Sequence, residues 1–199
     1  MAEITNSPDE ITADTDDYPR VCPVERAGGL DNPLRRWLQR PEKLLRPYIK
    51  PGMTVLDLGC GPGFFTIEIA RMLKGSGKVI AADLQQGMLD KVEQKIKNTE
   101  LEPIVTLHRC KEKQIGLTEK ADFILAFYMV HEVPDKPRLF EELKSLLKPN
   151  GTLLIVEPKF HVTGKTFARM LSITEKSGLQ LVGTPSLPFS RAVLLKQAF

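Results

Sequence analysis

Three glycines at alternate positions, next to a carboxylate, make up the stretch of this sequence best suited to bind a ligand. Gly59, Gly61 and Gly63 follow the apolar run Val55–Leu58, which contains Asp57. Glycine lets the chain turn sharply and lets a ligand lie directly against the main chain. The pattern predicts a buried parallel strand, a turn and the start of a helix, and this arrangement commonly binds nucleotide-type ligands at the edge of a sheet.

The spacing of the glycines argues against a dinucleotide or a triphosphate. A dinucleotide site is expected to read GxGxxG and a P-loop to end in a Gly-Lys pair, whereas this sequence reads GxGxG and has Pro62, which lacks an N–H donor. A carboxylate at Asp57 would repel a pyrophosphate but suit a cationic amino group. We therefore favour a ligand that carries adenosine together with an ammonium and a sulfonium group. The alternative interpretation is an ordinary strand-to-helix turn.

A second carboxylate follows the next predicted strand. Lys78–Ala82 is apolar after its first residue, and Asp83 comes twenty residues after Gly63. In nucleotide-binding α/β units, an acid about 20 residues beyond the glycine loop accepts hydrogen bonds from the ribose hydroxyls. Asp83 could equally cap the helix that begins at Leu84 or Gln85. The two roles are compatible, and both stay open.

The string VLDLGCGPG resembles motif I of the class I S-adenosylmethionine-dependent methyltransferases, and MVHEVPD and LLKPNGTLLIVEP resemble later segments of small-molecule members. The resemblance covers residues 34–199. It implies an α/β fold with a doubly wound, Rossmann-like sheet of seven strands in the order 3-2-1-4-5-7-6, the last strand antiparallel. It also implies an enzyme that uses S-adenosyl-L-methionine. The implied cofactor-binding residues are Asp57, Gly59, Cys60, Gly61, Gly63, Asp83, Leu84, Cys110, Lys111 and Phe127.

The adenine end of the implied site departs from the family pattern. The family usually places an acid after the third strand, where its carboxylate meets the adenine amino group. Cys110 or Lys111 occupies that place here.

The remaining chain alternates predicted strands and helices, which by itself implies a doubly wound sheet. Lys148–Gly151 is predicted as a turn, in which Asn150 could adopt a positive φ. A helix that begins at Pro41 is predicted before the first strand. The other predicted strands are 104–107, 121–128, 152–156, 179–182 and 192–195, and the other helices are 64–73, 84–97, 134–147 and 163–177.

Methyl transfer mainly requires that the acceptor be aligned in a dry site, because the cofactor supplies the reactivity. A base is needed only for an acceptor that keeps its proton. The candidates follow strands four and five: Tyr128, His131, Glu132, Glu157, Lys159 and His161. We predict His131 as the base, because its ordinary pKa suits neutral pH, and Tyr128 as a second catalytic candidate. A packing or helix-cap role is the alternative for His131, and Glu132 could pair with its imidazole.

Composition indicates one α/β domain in a chain of 199 residues, 42% hydrophobic and 27% charged. The longest apolar run, Phe123–Val130, is far shorter than the roughly 20 residues of a membrane helix. We expect no signal peptide and no membrane span. Three cysteines without metal spacing favour a reduced, cytoplasmic setting and predict no metal site.

Charge divides the chain into two predicted parts. Residues 1–19 contain six acids and no base. We expect residues 1–33 to form an acidic, mobile segment or lid and residues 34–199 to form the methyltransferase domain.

Several functions besides methylation of a small molecule stay open. Basic side chains between Arg35 and Lys50 could bind nucleic acid, although a solvated helix face is commoner. A protein or RNA methyltransferase is disfavoured by the sequence AFYM where an (N/D)PP(Y/F/W) motif would stand. Cys22 and Cys110 could together bind a metalloid such as arsenite. A module that binds the cofactor without turnover is the alternative outside enzymology.

Overall fold

A computed structural model describes residues 40–198. Seven strands form one sheet in the order β3-β2-β1-β4-β5-β7-β6. The pairs from β3 to β5 are parallel, and β7 runs antiparallel to both β5 and β6. The predicted fold class and strand order are therefore confirmed.

The helices and strands alternate along the chain. The strands are β1 (Thr54–Leu58), β2 (Lys78–Asp83), β3 (Val105–Arg109), β4 (Ala121–Phe127), β5 (Leu147–Pro158), β6 (Leu179–Gly183) and β7 (Ser190–Gln197). The α-helices are α1 (Pro41–Leu45), α2 (Phe64–Leu73), α3 (Gln86–Ile96), α4 (Lys136–Leu146) and α5 (Gly164–Lys176), and a 3-10 turn spans Val130–Glu132.

The central strands are apolar on both faces because helices cover both sides of the sheet. On one side, residues such as Val55, Val79 and Leu125 pack against α1, α2 and α3. On the other side, the alternate residues, such as Leu56 and Ile124, pack against α4 and α5. Successive side chains of a strand point to opposite faces, so a continuous apolar run is what a doubly covered strand requires.

The start of β5 differs from the sequence prediction. Residues 148–151 belong to this strand, and the pairing with β4 shifts in register between Ala121 and Phe123. Asn150 does not have a positive φ. Gly151 is needed for another reason: a Cβ there would lie 2.9 Å from the carbonyl oxygen of Ala121. Because Pro149 has no N–H to donate, it fits an irregular stretch of this kind.

Helix α1 begins at Pro41, as predicted, and packs Leu45 into the core. The predicted acidic segment 1–33, Cys22 and Arg35 lie outside the described residues. Among residues 40–198 there is no helix long and apolar enough to cross a membrane.

Candidate active site

A cavity of about 820 Å³ opens at the carboxyl edge of the sheet, where β1, β2 and β4 end. This is the edge at which open α/β sheets bind ligands. The lining includes most of the residues predicted to hold the cofactor: Asp57, Gly59, Cys60, Gly61, Asp83, Leu84, Cys110, Lys111 and Phe127. Gly63 is not among the lining residues.

The glycine loop is fixed by backbone contacts to the neighbouring strand. The N–H groups of Gly59 and Cys60 both donate to the carbonyl oxygen of Ala82, at 2.8 and 3.1 Å. Gly59, Gly61 and Gly63 all have positive φ, which favours glycine. Gly63 is the N-cap of α2, and a Cβ on it would lie 3.1 Å from a methyl group of Val92. Its contribution is therefore to the path of the loop.

Asp57 is buried in β1 and is held by a helix that the same loop begins. Its Oδ2 accepts a hydrogen bond of 2.6 Å from the hydroxyl of Thr66 in α2. Asp57 is 2% exposed and Thr66 is 0% exposed. The hydroxyl thus holds a carboxylate at the floor of the cavity, and Thr66 is a residue that the sequence analysis did not single out.

Asp83 ends β2 and is held by backbone N–H groups. Its Oδ2 accepts from Gly61, and its Oδ1 accepts from Gln85, each at 2.9 Å. Burial raises the pKa of Asp83, while hydrogen bonds from Gln85, Gly61 and Leu84 act in the opposite direction. The N-cap of α3 is Gln85, so Asp83 acts on the loop before the helix and is not its cap residue.

The two cysteines of the cavity are protonated thiols at neutral pH. Burial raises the pKa of Cys110 to about 12, with the charges of Asp83 and Glu142 acting in the same direction. Burial also raises the pKa of Cys60 well above its usual value. Since the thiolate is the nucleophile and the metal ligand, neither side chain is activated in this structure. Residues 40–198 contain no group of three or more His, Cys, Asp or Glu side chains that could hold a metal ion.

Tyr128 directly follows β4 and lines the cavity. Its backbone has a φ of 59°, and its N–H donates to the carbonyl oxygen of Val156 at 2.8 Å. Its phenolic oxygen lies 2.5 Å from the hydroxyl oxygen of Ser190 in β7. Tyr128 thus joins the end of β4 to β5 and β7, and its ring contacts that of Phe127 at a centroid distance of 4.3 Å.

His131 lies in the 3-10 turn after β4 and pairs with a buried carboxylate of β5. Its Nδ1 is 2.5 Å from Oε2 of Glu157, while Oε1 of Glu157 accepts from the Val130 N–H at 2.9 Å. The side chain of Glu157 is 1% exposed and that of His131 is 25% exposed. Burial lowers the pKa of His131, but the hydrogen bond and charge of Glu157 outweigh it, so the pKa is raised overall. The bond to Nδ1 is made by Glu157, while the charge of Glu132, the sequence-based candidate for this pairing, also raises the pKa of His131.

Aromatic rings continue from His131 to the surface. The rings of His131 and His161 stack at a centroid distance of 5.8 Å, and Phe160 contacts His161 at 4.9 Å. All three line the cavity. Lys159, another sequence-based candidate, does not line it, and its N–H donates to the carbonyl oxygen of Phe189.

Comparisons with known proteins identify the family of this chain. The family described as "Methyltransferase domain" matches residues 49–182. A demethylmenaquinone methyltransferase of Lactobacillus johnsonii is 32% identical over 122 residues, which are 61% of this chain and 49% of that protein. One from Bacillus cereus is 28% identical over 109 residues, 55% and 46% of the two chains. The chain thus spans about half the length of these curated relatives.

Solved structures give the same fold. A structure described as a SAM-dependent methyltransferase from Aquifex aeolicus superimposes with a TM-score of 0.79 and 29% identity, over 87% of this chain and 98% of that one. The [4+2]-cyclase SpnF, 13% identical, superimposes with a TM-score of 0.67 over 80% of this chain and 81% of that one. The second likeness is one of fold alone.

The chain belongs to the methyltransferase-domain family, and its fold is that of the class I S-adenosylmethionine-dependent methyltransferases.

Proposed function

We propose that this protein transfers the methyl group of S-adenosylmethionine to a small-molecule acceptor. One observation carries the proposal: Asp57 and Asp83, at the ends of adjacent parallel strands, are both buried and line one cavity together with the glycine loop. Two carboxylates at the ends of adjacent strands suit a ligand with a cationic amino acid group at one end and a ribose at the other.

The residues of this half of the cavity fit such a cofactor. Asp57 would pair with the ammonium group, and the loop from Gly59 to Gly61 would lie against the amino acid portion. Asp83 has about four lone-pair sites, of which Gly61, Gln85 and Leu84 use three, and the remaining capacity would accept a ribose hydroxyl. Leu84 and Cys110 would contact the adenine, the latter as an uncharged thiol.

When bound, S-adenosylmethionine supplies a methyl group on a positively charged sulfur. The contribution of His131 is to accept a proton from the acceptor. Glu157 occupies Nδ1, which leaves Nε2 for a hydroxyl of the acceptor. The buried carboxylate stabilises the imidazolium that then forms, and the same interaction raises the pKa of His131. Tyr128 would position the acceptor through its ring.

The acceptor that fits these groups best is an aromatic ring carrying a hydroxyl, such as a hydroquinone. Aromatic and imidazole rings that line the cavity supply flat surfaces for such an acceptor. They include Phe65, Phe127, Tyr128, Phe160 and His161. The names of the curated relatives, demethylmenaquinone methyltransferases, point to the same chemical class. A phenolic hydroxyl also provides the proton that His131 would take.

Calorimetry with S-adenosylmethionine and its demethylated product tests the cofactor half. We expect both to bind, and Asp57→Asn to weaken both by about 30- to 160-fold, because both carry the ammonium group and a charge-assisted bond is worth about 2 to 3 kcal/mol. Asp90→Asn, at an exposed carboxylate of α3, is the matched control and should leave binding unchanged. Absence of binding by the wild-type protein would refute the proposal.

Transfer of a tritiated methyl group to a panel of demethylated hydroquinones, and to RNA and protein pools, tests the acceptor. Labelling of a hydroquinone is the expected result. Binding of the cofactor without transfer to any pool would instead identify a non-catalytic module, and labelling of RNA or protein alone would refute the small-molecule acceptor.

A further inference from the structure

The exposed large apolar side chains of residues 40–198 are concentrated in the last part of the chain. Phe160 is 72% exposed and Phe189 is 68% exposed, and Leu181 and Val182 are each 45% exposed. Scattered exposed apolar residues are ordinary, but a group that lies together marks an interaction surface.

The two most exposed of these side chains, those of Phe160 and Phe189, lie together at the carboxyl edge of the sheet. Pro158, at the end of β5, pairs with Ser190 at the start of β7, and the Lys159 N–H donates to the carbonyl oxygen of Phe189 at 2.9 Å. Leu181 pairs with Leu195, five residues along β7 from Ser190, so Leu181 and Val182 do not lie at this edge. Phe160 also lines the cavity. The pair Phe160 and Phe189, which we call the apolar corner, therefore borders the entrance to the proposed active site.

Charge at the apolar corner is positive. Of the six bases in residues 158–198, Lys159 and Lys165 lie near the two phenylalanines, whereas Lys176 and Lys196 lie toward the opposite edge of the sheet. Lys159 follows β5 directly, and Lys165 is the second residue of α5; both are exposed. Glu132 and Asp135 also line the cavity, but they follow β4. Basic side chains beside the two exposed phenylalanines complement an anionic surface.

We propose that the apolar corner, with Lys159 and Lys165, docks the protein on the surface of a membrane that contains anionic lipids. Exposed aromatic side chains insert at the boundary between headgroups and acyl chains, and neighbouring lysines are attracted to negative headgroups. A protein partner is less suited, because a stable protein interface buries about 800 Å² on each side and two side chains provide little of it. Docking would bring the cavity entrance to an acceptor dissolved in the bilayer; that consequence, unlike the docking, rests on the proposed function.

Flotation of the full chain with lipid vesicles tests the docking without any methyl transfer. Vesicles of phosphatidylcholine mixed with phosphatidylglycerol should carry the protein, and vesicles of phosphatidylcholine alone should carry at least about tenfold less, because the lysines would lose their partners. Phe160→Ser combined with Phe189→Ser should reduce binding to the anionic vesicles by at least about tenfold. Lys159→Glu combined with Lys165→Glu should reduce it as strongly.

The matched control reverses two exposed lysines at the opposite edge of the sheet, Lys74→Glu and Lys97→Glu, which follow the last residues of α2 and α3. This control should bind vesicles as the wild type does, and all variants should keep the thermal midpoint of the wild type because the changed side chains are exposed. Failure of the wild type to float, or an equal loss in the control, would overturn the proposal. So would a concentration-dependent dimer that Phe189→Ser disperses, since the corner would then join two copies of this chain.

Discussion

The two halves of the candidate site are held in place in different ways. In the cofactor half, Asp83 is bonded by backbone N–H groups, and the glycine loop is tied to the carbonyl oxygen of Ala82. In the acceptor half, His131 depends on one side chain, Glu157, which lies 26 residues away in the sequence. Backbone contacts recur wherever the fold recurs, whereas a pair of side chains can change without changing the fold. The glycine loop and Asp83 are thus fixed by backbone contacts, whereas His131 depends on a contact between two side chains.

Replacing His131 should have the largest effect, and only on turnover. We expect His131→Asn to lower kcat by about 100-fold, because a positioned base typically contributes about 10²- to 10⁴-fold. The affinity for S-adenosylmethionine should not change, since the proposed role of His131 is toward the acceptor and not toward the cofactor. Tritiated transfer to a hydroquinone acceptor gives kcat, and calorimetry gives the affinity.

His161→Asn is the control for that variant, because this ring stacks on His131 but is not the proposed base. Its kcat should fall by less than about threefold. Equal losses in the two variants would show that the rings contribute by packing and that His131 is not the base.

Asp83→Asn should show the opposite pattern. Weaker acceptance of hydrogen bonds by the amide should reduce the affinity for S-adenosylmethionine by about 30-fold, or about 2 kcal/mol. The measurement is again calorimetry, with Asp90→Asn as the control at an exposed position. A fall in kcat at saturating cofactor with unchanged affinity would contradict the division between the halves.

Thr66→Val tests how the first carboxylate is held. The change keeps the shape of the side chain but removes the donor to Asp57. We therefore expect the free energy of unfolding, measured in urea, to fall by about 1 to 2 kcal/mol. Thr174→Val is a matched control: this buried threonine of α5 donates to the carbonyl oxygen of Leu171 instead. Only Thr66→Val should also weaken cofactor binding. The same loss of affinity in both variants would mean that general destabilisation is responsible.

The pairing of His131 with Glu157 should appear as a small pH dependence of stability. Because the pKa of His131 is raised in the folded protein, its stabilising contribution is complete below the unfolded pKa of about 6.5 and is lost as the pH rises through the folded value. The free energy of unfolding of the wild type should therefore exceed that of Glu157→Gln at both ends of the range. The excess should be about 1 kcal/mol larger just below about pH 6.5 than at about pH 8.5. Urea unfolding across this range measures the difference, and a gap that widens with rising pH would contradict the assignment.

Much of the fold could be predicted because its signals are local. The first residues of α1 and α2 follow from Pro41 and from the glycine that precedes Phe64. The start of β5 could not be predicted, because Pro149 and Asn150 have the composition of a turn. They belong to a strand only because the residues on either side of them, Leu147 and Thr152, pair with β4.

The candidate site divides in the same way. Asp57 and Asp83 are marked by their distances from the glycines and stay predictions for cofactor binding until binding is measured. Glu157 as the partner of His131 depends on the pairing of β4 with β5, which no local pattern contains. Glu132 is adjacent in sequence, which made it the sequence-based candidate, but Glu157 occupies the ring nitrogen.

Gly59 has a neighbour that restricts how this protein can be re-engineered. A Cβ at that position would lie 2.9 Å from the side chain of Met129, the residue before the 3-10 turn that contains His131. The glycine loop and the segment that carries His131 are therefore packed closely and do not behave as exchangeable modules. A chimera whose loop has any residue other than glycine at position 59 would need a smaller residue at position 129 as well.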